Sequence, residues 1–228
     1  MHEECLICKG PLLYLEAGRN MVCGICGKEE ESKTCCINGH YVCNACHTSG
    51  MDAIFAVCLQ EETKDPFRIL ERMMALDFCH MHGPEHHVMV GAALLAAYRN
   101  AGGAINLDAA LAEMYKKGKQ VPGGACGFWG ACGAGISTGM YVSIVTKATP
   151  LAKEAWGLSN QMTARALNAI GQHGGPRCCK RDSYLAIREA VAFTAEKLNI
   201  HMGSGTVCCI RSMMNNQCIK SDCPFYKG

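Results

Sequence analysis

Cysteine spacing constrains this chain more than any other feature. Cys5-x-x-Cys8 and Cys23-x-x-Cys26 read as two metal-binding knuckles. A two-residue gap lets both thiolates of a knuckle reach one ion, and two knuckles complete a tetrahedron. Gly24 and Gly27 supply the backbone freedom that such a turn needs. A second set follows at once, Cys36-x3-His40-x2-Cys43-x2-Cys46, with Asn38-Gly39 making the turn. Three thiolates and one imidazole are a common structural zinc set. Two arrangements satisfy these eight ligands. Either the first four and the last four form separate sites, or the pairs interleave in a cross-braced module. Spacing alone does not choose between a zinc ribbon and a cross-brace, and Cys35 and His47 stand beside ligands that they could replace. Zinc would stabilise a segment too short and polar to build its own core.

The full count of 18 cysteines raises the question of compartment. Secreted disulfide scaffolds are usually shorter, and no charged-then-apolar leader is visible at the start. The expectation is a reducing, cytoplasmic setting in which clustered cysteines act as ligands or catalysts. The apolar stretches around 88–98 and 131–145 are too short, or too rich in Gly, Ser and Thr, to span a bilayer, so no membrane is expected. A net charge of +2 argues against a strongly electrostatic nucleic-acid binder. Such modules commonly bind protein or nucleic acid, and zinc ligation by itself establishes only folding.

The predicted architecture is mainly α: a zinc-binding module over 1–50 and a helical domain over 51–228. With 49% hydrophobic and 18% charged residues the chain can bury a real core. Asp65-Pro66 reads as an N-cap and first turn of a helix to about Asp77. Gly83-Pro84 opens a second that ends at Gly102-Gly103, and Asn106 caps a third, to Gly118. A helix over 131–147 carries Gly133, Ala134, Ser137 and Gly139, which would let a neighbour approach closely. Periodicity predicts two more, over 156–170 and 183–198. No succession of alternating strands is evident.

Beyond residue 50 the cysteines abandon knuckle spacing. Cys58 suits the apolar face of a helix. Cys126, Cys132, Cys178, Cys179, Cys208, Cys209, Cys218 and Cys223 instead fall in Gly-rich loops or at predicted helix ends. There, free backbone amides can reach sulfur. Cys126 and Cys132 flank a predicted helix start, where the dipole favours a thiolate or another anion. Vicinal thiols cannot easily share one metal, so one of Cys178 and Cys179, and one of Cys208 and Cys209, is expected to ligate. Cys218-x4-Cys223-Pro224 resembles the end of an iron–sulfur ligand set, although the close repeats of a ferredoxin run are missing. Irregularly separated thiolates from several loops suit a cluster better than zinc, and a 4Fe-4S cluster is the expected cofactor. Cys126, Cys132, Cys178 or Cys179, and Cys208 or Cys209 should converge, with Cys218 and Cys223 as a further ligand pair.

Arg177, Lys180 and Arg181 would lie beside this cluster and select a small anionic substrate. His82, His86 and His87 are candidates for proton transfer, since the Gly-Pro break spoils the spacing of a helical metal pair.

Four segments together carry a resemblance: Cys36-Ile-Asn-Gly-His-Tyr-Val-Cys-Asn-Ala-Cys-His47, His82-Gly-Pro-Glu-His-His87, Gly124-Ala-Cys-Gly-Phe-Trp-Gly-Ala-Cys-Gly-Ala134 and Gly174-Gly-Pro-Arg-Cys-Cys-Lys-Arg181. The chain resembles, over nearly its whole length, an uncharacterised cysteine-rich metalloprotein family of anaerobic bacteria and archaea, a domain of unknown function. The resemblance implies an anaerobic setting and no particular reaction. The short Gly-Ala-Cys-Gly-Ala-Gly-type loop is also similar to loops of iron–sulfur serine dehydratases.

The residues therefore point to an iron–sulfur enzyme of lyase, desulfidase or sulfur-transfer type, its cluster acting as Lewis acid or sulfur carrier. A fully ligated redox or regulatory iron–sulfur protein is the second reading, and a zinc-only adaptor the third. Three thiolates with an open position favour the first, four the second, and no iron the third.

Overall fold

The computed structural model describes residues 5–8, 10–47 and 50–227. Its N-terminal part is an antiparallel hairpin, β1 (Leu12–Val22) and β2 (Glu29–Cys36), paired from Leu12↔Cys36 to Val22↔Glu29. The register shifts between Tyr14 and Arg19, so β1 carries a wide irregularity opposite a nearly continuous β2. Most positions of β1 are exposed, and the partly buried ones recur every third residue. Period-2 alternation is absent, which is why the hairpin is not legible as strands in the sequence. A short helix, α1 (Asn44–His47), completes this part.

The remainder is helical: α2 (Met51–Gln60), α3 (Pro66–Met74), α4 (His86–Asn100), α5 (Leu107–Gly118), α6 (Ala125–Phe128), α7 (Gly133–Val145), α8 (Lys153–Gln172) and α9 (Cys179–Leu198). Among the described residues the hairpin is the only sheet. The mainly α architecture with a small N-terminal cysteine-bearing module therefore stands. No helix among the described residues is long and apolar enough to cross a membrane.

Helix α4 lies at the centre because its sequence is small or apolar on every side, and from His86 to Ala97 it is buried. Around it pack α2, α3, α5, α7 and α9. Capping occurs where the side chains allow it. The Asp65 carboxylate accepts the Phe67 amide at 3.0 Å, and the Asn106 side chain accepts that of Ala109 at 3.0 Å. Small residues on α7 let it lie close to both α4 and α8. The Ser137 hydroxyl accepts the Gly91 amide at 2.9 Å, and a Cβ at Gly139 would overlap Thr163.

Helix α9 begins at Cys179, four residues earlier than the periodicity of 183–198 predicts, because the Cys178 thiol caps it by accepting the Arg181 amide at 3.5 Å. Helix α8 likewise exceeds the predicted 156–170 at both ends. Residues 51–60, where the sequence suggests only that Cys58 suits a helix face, form α2 and bury Ile54 and Cys58 completely.

After α9 the chain, from Asn199 to Lys227, forms no α-helix, only two 3₁₀ turns at Ser212–Met214 and Lys220–Asp222. Several contacts hold this tail against the bundle. The Gly203 amide donates to the Lys64 carbonyl at 2.6 Å, and Arg211 pairs with Glu71 of α3 at 2.8 Å. The Phe225 ring packs edge-on against Tyr184, with centroids 5.1 Å apart.

Candidate metal centres

The hairpin dictates how the N-terminal ligands combine. Antiparallel pairing of Leu12 with Cys36 returns the end of β2 to the first knuckle, just ahead of β1. Cys5, Cys8, Cys36 and His40 consequently converge, with ligand atoms within 4.8 Å of one another. Tyr41 then bridges to Cys23, carrying Cys43 and Cys46 to the second knuckle, and Cys23, Cys26, Cys43 and Cys46 form an equivalent set. The pairs interleave: the arrangement is a cross-brace, and Cys35 and His47 belong to neither set.

All 18 cysteines are free thiols. Sulfurs on a tetrahedral zinc ion, each about 2.3 Å from it, stand about 3.8 Å apart. Cys8 and Cys36 are 3.7 Å apart, and Cys26 and Cys43 are 3.6 Å apart. Amide donors already point at the sulfurs, from Ile7 to Cys5 at 3.4 Å and from Cys43 to Cys23 at 3.3 Å. The Asn38 amide, 3.3 Å from Cys8, leads the interactions that lower that thiol's pKa to about 6. Each set could hold a metal ion.

In the helical domain the eight expected cluster ligands divide. Cys178, Cys209, Cys218 and Cys223 line one small cavity, together with Met81, Arg181, Tyr184, Arg211 and Asn215. Three of these sulfurs accept backbone N–H groups: Cys178 from Arg181 at 3.5 Å, Cys209 from Arg211 at 3.4 Å and Cys218 from Lys220 at 3.4 Å. The last two reproduce the i+2 amide geometry of Cys5 in the first knuckle. Asn215 adds a side-chain donor to Cys178 at 3.6 Å. Of the vicinal pairs, then, Cys178 and Cys209 face the cavity. Cys179 is partly buried, with desolvation driving its thiol pKa well above the usual value, and Cys208 is exposed.

Cys126 and Cys132 do not join that set. They line a larger cavity of about 500 Å³ between the hairpin and the bundle, with Tyr14, Phe128, Arg177, Arg181 and Asp182. Cys132 lies 3.8 Å from the Asp182 carboxylate, and burial, reinforced by that carboxylate, pushes its thiol up to about 12. Convergence of all these thiols on one point, expected from their loop positions, is thus replaced by two neighbouring cavities. Arg181 lines both, and it is buried with one guanidinium nitrogen, Nη1, lacking a partner among the described residues. Its other donors reach Asp182 at 3.1 Å and the carbonyls of Gly174 and Pro176 at 2.8 and 3.0 Å. Arg177 stacks over the Tyr14 ring, 5.2 Å from its centroid, and hydrogen-bonds its hydroxyl.

Lys180 is not beside either cavity. It is buried, and its ammonium donates to the His80 carbonyl at 2.7 Å, lying 2.9 Å from His86 Nε2 and 3.2 Å from the Cys79 sulfur. His86 and His87 are buried in the first turn of α4 and line neither cavity. His86 reaches the Gly83 carbonyl at 3.0 Å, and His87 the Val121 carbonyl at 3.1 Å. Burial lowers the pKa of both rings. His82 takes the Cys179 amide at 3.4 Å and lies 3.4 Å from Asn215, with burial as the largest of the effects that lower its pKa to about 4. It stands behind the Cys178 cavity without lining it. Asp182, Asn215 and His80 lie outside the quoted motifs and Glu85 lies inside one without a role of its own, so what they do follows from what the fold places beside them.

Two interleaved thiolate sets on a hairpin, joined to a helical bundle with further clustered thiols, define a cysteine-rich protein with sites suited to metal. The chain belongs to a family of unknown function, DUF5714, whose model matches residues 54–226. That match covers the bundle and the cysteine-bearing tail and leaves the hairpin outside it. Neither the curated proteins nor the solved structures provide a match.

Proposed function

We propose that this protein carries zinc in its cross-braced hairpin module and an iron–sulfur cluster on Cys178, Cys209, Cys218 and Cys223, beside a cavity that takes a small anionic molecule. One observation carries the cluster: four thiols, one from the α9 cap and three from the irregular tail, frame a single cavity with amide donors already aimed at three of them. The hairpin sulfurs lie at single-ion spacing, whereas these four reach a shared cavity from separate parts of the chain. Amide hydrogen bonds to the sulfurs are one of the levers that set a cluster's potential. The tail, lacking regular structure, is the kind of segment that metal binding orders.

Four thiolates leave no iron open, which favours a redox role over Lewis-acid catalysis. Such a cluster would supply single electrons. The chain's own residues would bind the anion: Arg181 lines the cavity with a buried Nη1 that has no hydrogen-bond partner among the described residues, and Arg177 is held at the cavity wall by Tyr14. A second reading, a lyase, desulfidase or sulfur transferase, is favoured by one observation, the presence of Cys126 and Cys132 in that same cavity. Burial keeps the Cys132 thiol protonated, which weighs against it as a free nucleophile.

Anaerobic purification followed by iron, zinc and acid-labile sulfide analysis tests the reading. The expected result is iron and sulfide in the wild type, both lost in Cys209→Ser with zinc retained. Cys208→Ser should keep both. Zinc alone in every preparation, with no iron or sulfide, would reduce the protein to an adaptor.

A further inference from the structure

Between the hairpin module and the bundle lies a group of side chains that neither reading uses. His47 ends α1, His80 lies in the loop before α4, and Glu85 immediately precedes α4. One ring nitrogen of each histidine and one carboxylate oxygen of Glu85 lie within 4.8 Å of one another. The two rings stand edge to face with centroids 5.8 Å apart.

Their hydrogen bonding is incomplete. Nδ1 of His47, Nδ1 of His80 and Oε2 of Glu85 are all buried, and none has a hydrogen-bond partner among the described residues, His80 Nδ1 lying 3.8 Å from the other Glu85 oxygen. Glu85 is fully buried. Its other oxygen accepts the His80 amide at 3.1 Å, which fixes the carboxylate in place while leaving Oε2 unused. An unpaired buried polar atom costs about 1–3 kcal/mol, and more for a charged group. Each of the three residues carries one such atom, and their ligand atoms converge from two parts of the chain, an arrangement that a bound cation would satisfy.

Glu85 also belongs to a second triad, with Cys79 and His86. That triad already has its cation, for the Lys180 ammonium lies 3.2 Å from the Cys79 sulfur and 2.9 Å from His86 Nε2. An ammonium and a divalent ion on the same donors exclude each other by repulsion. The carboxylate thus stands between one pair of donors that Lys180 fills and another that nothing fills.

We infer that His47, His80 and Glu85 bind a divalent transition-metal ion, a site separate from the thiolate centres. Two imidazoles and one carboxylate are a donor set used by catalytic zinc and by non-haem iron(II), and three protein ligands leave a position open for water or an anion. Because His47 follows the knuckle ligand Cys46 directly, this ion ties the hairpin module to the loop that leads into the central helix.

Cobalt(II) is the probe, added to the purified full-length protein from which metal has been removed. The wild type should take up one equivalent whose spectrum lacks sulfur-to-metal charge transfer, in addition to the thiolate-bound equivalents. His47→Gln, on the module side, and His80→Gln, on the bundle side, should each lose that equivalent and keep the thiolate bands. Glu85→Gln should do the same, and the two histidine variants decide the matter if burial makes it unable to fold. Unchanged cobalt uptake in both histidine variants would overturn the site, as would loss of the thiolate bands along with it. The outcome does not depend on whether Cys209 and its neighbours hold iron.

Discussion

The hairpin and the helical bundle are held together by different means. In the bundle, α4 is enclosed by apolar side chains, with Leu94, Leu95, Met89 and Tyr141 fully buried. The hairpin's corresponding cluster consists of Cys23, Tyr41 and Cys43, two of which are thiols of a candidate metal site. A segment of that size gains little from burial to offset its conformational entropy, and the proposed ions would supply the missing cross-links. The tail after α9 belongs with the hairpin in this respect, although it follows the bundle in sequence. It has no helix of its own and carries three of the four thiols around the small cavity. Where the core is thin, the thiols gather.

The sharpest way to break this contrast is to remove metal. Chelation should unfold the hairpin while the bundle stays folded, because structural zinc contributes roughly 10–16 kcal/mol to small zinc domains. Hydrogen exchange would show it, with amide protection lost over β1 and β2 and retained in α4. Equal loss in both regions would mean that the hairpin is not a separate metal-held unit.

The cross-brace itself predicts a difference between paired substitutions. Cys5→Ser combined with Cys36→Ser removes ligands of one set and should cost one zinc equivalent. Cys5→Ser combined with Cys23→Ser strikes both sets and should cost two. Sequential pairing would reverse that order, so zinc analysis of the two double variants discriminates directly.

In the bundle, packing should dominate. Leu95→Ala should lower stability by about 2–5 kcal/mol through lost burial and the cavity left behind. Thermal unfolding would measure it, with zinc content unchanged. The smallest effect is expected at the surface: Arg165 pairs with Glu189 at 2.9 Å and Glu196 at 2.8 Å, partly exposed. Arg165→Ala should cost no more than about 1 kcal/mol, as screened ion pairs usually do. A larger loss would mean that the bundle depends on charge as well as packing.

Local chemistry was legible in the sequence wherever a residue acts on its immediate neighbours. Asp65 and Asn106 cap the helices predicted for them, and Gly139 permits the close crossing of α7 and α8. Helix α2 was legible only through Cys58, since no side-chain cap marks its start. The N-terminal ligands were identifiable because Cys-x-x-Cys is a local geometry. His47, by contrast, looked like a spare beside Cys46, and its partners His80 and Glu85 lie more than thirty residues further on.

The sequence by itself determined the donor types, the knuckle turns, the capped helices and the mainly α character. These depend on bonds and contacts within a few residues. Only the tertiary structure decided which knuckle pairs with which, because that follows from the antiparallel return of β2 to the start of β1. It also decided that Cys178 and Cys209, and not their neighbours, face the cavity. The reason is geometric: adjacent residues project in different directions, and which direction points inward depends on where the α9 cap and the tail are packed.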